Sequence, residues 1–222
     1  MPKALIIGAG DGLSASLARL LAREGYAVAL AARNTAKLAA LAAETGAATH
    51  ACDAADAGQV AALFGAEGDA EVVVYNPSYR TRGPIAELDP AEVQKSLQVC
   101  AFGGFLTVRE AARRMLAAGR GTILLTGASA GVKGYAQSAP FAMGKFALRG
   151  LAQSAARELH PQGIHVAHIV IDGGIRSTHR PDGGGDTLLD PDAIAQSYLQ
   201  LIRQPRTAWS WELEIRPWVE KF

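Results

Sequence analysis

Short apolar runs alternate along the chain with segments in which apolar residues return every three or four positions. The first run, at 4–7, ends at Gly8 and is followed by Leu13, Leu17, Leu20 and Leu21 at helical spacing. Comparable runs occupy 27–32, 47–52, 71–75, 122–126 and 163–171. Between them, helical patterns cover 35–44, 59–64, a long stretch from 90 to 118, and a segment through Leu148, Leu151, Ala155 and Leu159 to His160. Pro90 suits the first turn of the long pattern. A helix near 190–203 and an alternating segment at 211–216 close the chain. Strands that alternate with helices pack as a parallel sheet covered on both faces. The pattern therefore predicts an α/β, doubly wound fold with a mainly parallel sheet of about seven strands. No repeat or linker divides the 222 residues, a length that one core accommodates, so residues 1–222 are expected to form one domain.

Composition narrows the classes of partner. Charged residues make up 19% of the chain and the formal net charge is +1, which leaves no electrostatic footprint for nucleic acid or an anionic membrane. Cys52 and Cys100 lie in apolar settings without ligand spacing, so no metal site is expected and the thiols fit a reducing, cytoplasmic setting. The opening MPKALIIGAG enters a strand at once, without the charged and then apolar layout of a cleavable signal. The most apolar run, 164–171, is interrupted by His165 and His168 and falls far short of the ~20 residues of a membrane helix.

Candidate chemistry begins at the turn after the first strand. Gly8, Gly10 and Gly12 stand between strand and helix, where glycine lets backbone approach a pyrophosphate and the helix start offers free N–H groups. A dinucleotide is the expected ligand. Roughly 20 residues further on, where an acid would hold ribose hydroxyls in an NAD site, the chain has Ala32 and Arg33. An arginine there favours a 2′-phosphate, so NADP(H) is preferred and NAD(H) remains possible. Asp11, inside the turn, opposes extra negative charge if it points inward. A second candidate region is 121–148, in which a strand, a glycine-bearing turn and a helix place Phe141 and Lys145 on one helical face.

With these pieces placed, nearly the whole chain resembles the short-chain dehydrogenase/reductase family, whose members are Rossmann-like proteins that bind NAD(H) or NADP(H). Gly8 and Gly12 match its spaced-glycine motif, with Ser14 where a third glycine is usual; Asp53 matches its adenine-side acid; and Asn76, Pro77 and Ser78 stand at its Asn-Ala-Gly turn. The segment 146–166, after Lys145, is a strong match. The resemblance implies nucleotide contacts at Gly8, Gly10, Asp11, Gly12, Leu13, Arg33, Asp53, Ala54, Asn76, Pro77, Ser78 and Lys145, and at Gly173, Ile175 and Ser177 after the sixth strand, where Asp172-Gly173-Gly174 replaces the usual Pro-Gly.

The family's catalytic apparatus is Asn, Ser, and a Tyr four residues before a Lys. Lys145 matches the lysine, but Phe141 stands at the tyrosine position, Ala128 at the serine and Cys100 at the asparagine. Phenylalanine exchanges no proton, so the resemblance implies hydride transfer on an unknown small-molecule substrate by an atypical or weak route. The alternative is a non-catalytic dinucleotide-binding sensor or oligomeric partner. Substitute proton donors would be Ser129, Tyr135, Ser138 or Tyr79, or Lys145 itself if its pKa is lowered. His165 and His168 read as core histidines, and Trp209, Trp211 and Trp218 as packing residues. The resemblance further implies a homodimer or homotetramer, paired through the Pro90 and Phe141 helices. The glycine-rich stretch 172–189, with its charged HRPDGGGD tip, is expected to be a mobile loop over the substrate.

Overall fold

The computed structural model describes residues 1–177, 180–181 and 183–221. Thr178, His179 and Asp182, which belong to the loop expected at 172–189, lie outside the described residues, as does Phe222. In chain order the strands are β1 (Lys3–Ile7), β2 (Ala27–Ala32), β3 (Ala48–Ala51), β4 (Val72–Tyr75), β5 (Gly121–Thr126), β6 (Ile164–Ile171), β7 (Gly174–Ile175), β8 (Leu188–Leu189) and β9 (Glu212–Ile215). Seven of them form one sheet in the spatial order β3-β2-β1-β4-β5-β6-β9, and every neighbouring pair is parallel. The chain winds outward in one direction from β1 and then in the other from β4. At that reversal a crevice opens beyond the carboxyl ends of the strands, where open α/β sheets bind ligands.

Helices cover both faces. They are α1 (Leu13–Arg23), α2 (Ala39–Thr45), α3 (Ala57–Glu67), α4 (Pro90–Leu97), α5 (Gly103–Ala118), α6 (Ala139–Leu159) and α7 (Pro191–Ile202). Along β1 the side chains divide by the strand's two-residue period. Leu5 and Ile7 enter one core with Phe64, Tyr75, Leu148 and Leu159, while Ala4 and Ile6 enter another with Leu17, Leu21 and Tyr198. This two-sided burial is why the strands read as continuous apolar runs.

Three of the sequence-based expectations change. The pattern at 35–44 is two pieces, because the Asn34 side-chain carbonyl accepts from the Ala36 amide and holds a tight 3₁₀ turn at Thr35–Leu38 before α2 begins. The long pattern from 90 to 118 is interrupted by a π turn at Gln98–Phe102. Tyr75 donates its hydroxyl to the Val99 carbonyl inside that turn. The stretch expected as a loop carries a second, two-stranded parallel pair, β7 with β8, and an antiparallel bridge between Ser177 and Arg180. Among the described residues no helix is long and apolar enough to cross a membrane.

Candidate functional site

Two cavities, of about 970 and 560 Å³, lie beyond the carboxyl ends of the strands and share Gly8, Gly10, Asn76 and Ser78. They are therefore two halves of one groove. Asp11, Arg33, Asp53, Ala54 and Pro77 line the first half, and Gly12, Leu13, Lys145, Gly173, Ile175 and Ser177 line the second. Every expected nucleotide contact faces this groove.

The glycine turn at its centre includes one position, Gly8, that only glycine can fill. Gly8 has φ +81°, and a Cβ there would lie 2.6 Å from the Pro77 nitrogen. Its amide and that of Ala9 both donate to the Ala31 carbonyl, at 2.9 and 3.0 Å. At Gly10 and Gly12 an added Cβ would meet nothing within 4 Å, so these residues present open backbone to the groove. Ser14, the departure from the family's third glycine, is buried and braces the turn: its hydroxyl donates to the Gly8 carbonyl at 3.3 Å and accepts from Asn76 Nδ2 at 2.7 Å. Helices α3, α4 and α7 are capped by Asp56, Asp89 and Asp190, whereas α1 starts from Gly12 without a side-chain cap. An uncapped helix start beside open glycine backbone suits an anion, and a diphosphate fits this cradle.

At the far end of this half, Asp53 Oδ1 accepts from the Ala55 amide at 3.0 Å while its own amide donates to Gln59 at 2.8 Å, which fixes the carboxylate. Arg33 is joined by Asn34 and Lys37, which the sequence reading did not select. Lys37 had a signal, since it lies in the first turn after the second strand, four residues beyond Arg33.

The other half is built differently. Lys145 is only 2% exposed; its Nζ donates to the Thr126 carbonyl at 2.9 Å. Burial lowers its pKa below the ordinary lysine value; Cys100 opposes the shift and Arg80 adds to it. Phe141 is 4% exposed and packs with Cys100, Ala130, Tyr79 and Ala128. Ala128 and Phe141 face the groove, as expected for the serine and tyrosine positions, but Cys100 does not. It is fully buried in the π turn, with its sulfur 3.4 Å from both the amide nitrogen and carbonyl oxygen of Tyr79, and packed against Gly144, where a Cβ would come within 2.7 Å of the Cys100 Cβ. Val99, its neighbour in the turn, lines the groove instead.

Of the substitute donors, Ser129 lines the groove. Tyr79 donates its hydroxyl to the Glu92 carboxylate on α4 and lies under Lys95, so it serves the surface. Tyr135 is 46% exposed beside Lys133, and Ser138 is buried at the start of α6; neither lines the groove. On this side sequence reading missed Arg180 and Arg80, and the guanidinium of Arg80 lies 4.3 Å from the centre of the Phe141 ring. The signal for Arg80 was only position, four residues beyond Asn76.

Behind this half, His168 is fully buried under Gly127, where a Cβ would collide with the imidazole. Its Nδ1 is 3.1 Å from Glu212 Oε2, and Arg149 grips the same carboxylate at 2.6 and 2.8 Å. Burial pushes the His168 pKa down to about 4, with Glu212 opposing. His165 stacks on Trp209 with ring centres 4.9 Å apart, so both histidines belong to the core. Trp218, by contrast, is 81% exposed. Another cavity, lined by His160, Arg206 and Trp209, lies before β6 and β9, at the opposite edge of the sheet from the glycine turn.

Comparison with known proteins agrees with this geometry. The family described as short chain dehydrogenase matches residues 2–181. Trans-4-hydroxycyclohexanecarboxylate dehydrogenase of Sinomonas cyclohexanicum is 30% identical over 217 residues, which cover 90% of this chain and 83% of that protein. Among solved structures, a short-chain dehydrogenase from Rhodopseudomonas palustris is similar at a TM-score of 0.86 and 39% identity, over 98% of this chain and 99% of that one. A metagenomic short-chain oxidoreductase in complex with NADP gives 0.86 at 30% identity, over 97% of each chain.

Proposed function

The chain belongs to the short-chain dehydrogenase/reductase family, and from that premise we propose that it binds NADP(H), in preference to NAD(H), and moves hydride to or from a small-molecule substrate without a tyrosine acid. The observation that carries the reading is the single groove, in which the glycine cradle and the buried Lys145 converge. The NADP held by the metagenomic relative agrees with it.

The residues divide the work as follows. Gly10, Gly12 and the uncapped start of α1 hold the diphosphate; Arg33, with Lys37, holds the 2′-phosphate through charge-assisted hydrogen bonds; and Asp53 faces the adenine. Gly173, Ile175 and Ser177 close over the nicotinamide end. Bound nicotinamide supplies or accepts the hydride. Lys145 anchors the ribose hydroxyls, and its lowered pKa suits Nζ to hand the balancing proton to the substrate oxygen. Phe141 and Ala128 give that part of the groove an apolar lining but add no proton of their own. Cys52 and Cys100 are free, buried thiols, which suits a cytoplasmic protein. Exposed Phe102, Phe105, Met143 and Phe146 on α5, α6 and the π turn supply an apolar surface for a second copy, as a homodimer or homotetramer.

The test is a fluorescence titration with NADPH and NADH, followed by a screen of carbonyl, imine and activated-alkene substrates for cofactor oxidation. Tighter NADPH binding with turnover is the expected result. Binding without turnover on any class would favour the sensor, a reading that rests on the apolar residues at 128 and 141. Absence of binding at millimolar nucleotide would remove both.

A further inference from the structure

The two halves of the groove differ in charge. Asp11 and Asp53 accompany Arg33 and Lys37 in the adenosine half, whereas Arg80, Lys145 and Arg180 line the nicotinamide half without any described Asp or Glu. Three cations around one cleft give it a positive potential that favours an anion. Lys145 and the glycine cradle are accounted for by the nucleotide. Arg80 is not.

Its surroundings hold Arg80 ready. The loop that carries it is tied down by the Gly83 amide, which donates to the Gln137 carbonyl at 3.1 Å. The guanidinium lies over the face of Phe141, a contact that occupies none of its N–H donors. Among the described residues no carboxylate pairs with Arg80. From the other side, the backbone pair between Ser177 and Arg180, 3.0 Å in both directions, places Arg180 against Gly174, where its Nη1 would be 2.7 Å from an added Cβ. Arg80 is exposed at the mouth of the cleft, and desolvation with Arg82 and Arg180 nearby lowers its pKa while Cys100 and Tyr135 oppose the shift.

We infer that the substrate carries a carboxylate or phosphate, and that Arg80, laid on Phe141 at the position of the missing tyrosine, binds it with help from Arg180. A planar fork matches either group bidentately and fixes the substrate beside Lys145. This inference rests on the proposed reading of the groove, and it assigns to Arg80 a specificity role in place of the phenol's chemical one.

Calorimetric titration tests it with defined probes: benzoate, phenylglyoxylate and phenyl phosphate, each against an uncharged counterpart (benzamide, methyl phenylglyoxylate and phenol), on protein saturated with NADP⁺ and on free protein. At least one anion is expected to bind on the order of tenfold tighter than its counterpart, together with NADP⁺, and the carboxylate and phosphate arms identify the group preferred. Arg80→Gln should erase that preference, whereas Arg82→Gln, outside the groove lining, should change it by less than about threefold. Equal binding of charged and neutral probes, no anion binding below about 10 mM, an unchanged preference in Arg80→Gln, or displacement of NADP⁺ by the anion would each overturn the inference. Failure of NADP⁺ to bind would remove the redox reading alone, because the titration of free protein still decides whether Arg80 takes an anion.

Discussion

The adenosine half and the nicotinamide half of the groove obey opposite rules. In the first, polar groups are fixed by hydrogen bonds: Asp53 by Ala55 and Gln59, and the glycine turn, on the border of the two halves, by Ser14 and Asn76. In the second, a lysine is buried among apolar side chains with one carbonyl partner, and its pKa falls because water is gone. The contrast separates binding from chemistry. The glycine turn presents backbone shaped by a positive φ at Gly8, whereas the surroundings of Lys145 depend on several segments that enclose it.

The sharpest way to break the comparison is Lys145→Met. It removes the lysine to which the proposed reading gives the proton transfer and should lower turnover by a factor of about 10²–10⁴, to background. Methionine fills the buried space, so the melting temperature should hold, as checked by circular dichroism. Turnover equal to the parent would remove Lys145 from the mechanism.

Acid should weaken the nicotinamide half from behind. His168 stays neutral in the fold down to about pH 4, whereas an ordinary histidine takes a proton near 6.5. Between those values the unfolded chain binds more protons, so the stability is present above pH 6.5 and is lost as pH falls toward 4, by roughly 3 kcal/mol. Glu212, whose pKa is lowered first by Arg149 and then by His168, acts in the same direction at lower pH. Urea unfolding at pH 7 and pH 4 measures the difference, and His168→Leu should flatten it relative to the parent.

Restoring the family's proton donors sharpens the contrast from the other side. Phe141→Tyr with Ala128→Ser should raise the rate on a carbonyl substrate by about tenfold to a hundredfold, with the Kd for NADPH unchanged. Phe141→Tyr alone, with Arg80 still over the ring, should give the smaller part of the gain. No gain in the double variant would mean that Arg80 and the apolar cluster around Phe141 have reshaped the half beyond its missing hydroxyls.

The smallest effect belongs to the adenosine half. Arg33→Ser should weaken NADPH by about tenfold and leave NADH within about twofold, because only the former carries a 2′-phosphate. Equal losses for the two nucleotides would point to a general electrostatic role for Arg33.

How far the sequence could be read follows the same division. The strands were legible because β1, β4, β5 and β6 are buried on both faces and need unbroken apolar runs. Gly8, Gly10 and Gly12 were legible because they punctuate a strand-to-helix turn, where Gly8 needs a positive φ. The π turn at Gln98–Phe102 was not, because it is defined by which carbonyl each amide bonds, and the side-chain pattern of 90–118 does not record that. The same turn holds Cys100 inward and gives Val99 the groove, which position counting from a motif does not reveal.

Taken by itself, the sequence determined the order of strands and helices, the glycine cradle, and the absence of a phenol or hydroxyl at 141 and 128. These are properties of single residues or of short repeats. Tertiary structure alone decided that Lys145 is buried, that Ser129 reaches the groove while Tyr79 serves Glu92, and that Arg80 lies on Phe141 with Arg180 nearby. Those facts depend on segments far apart in the chain meeting at one end of a sheet, and on the water they exclude when they meet.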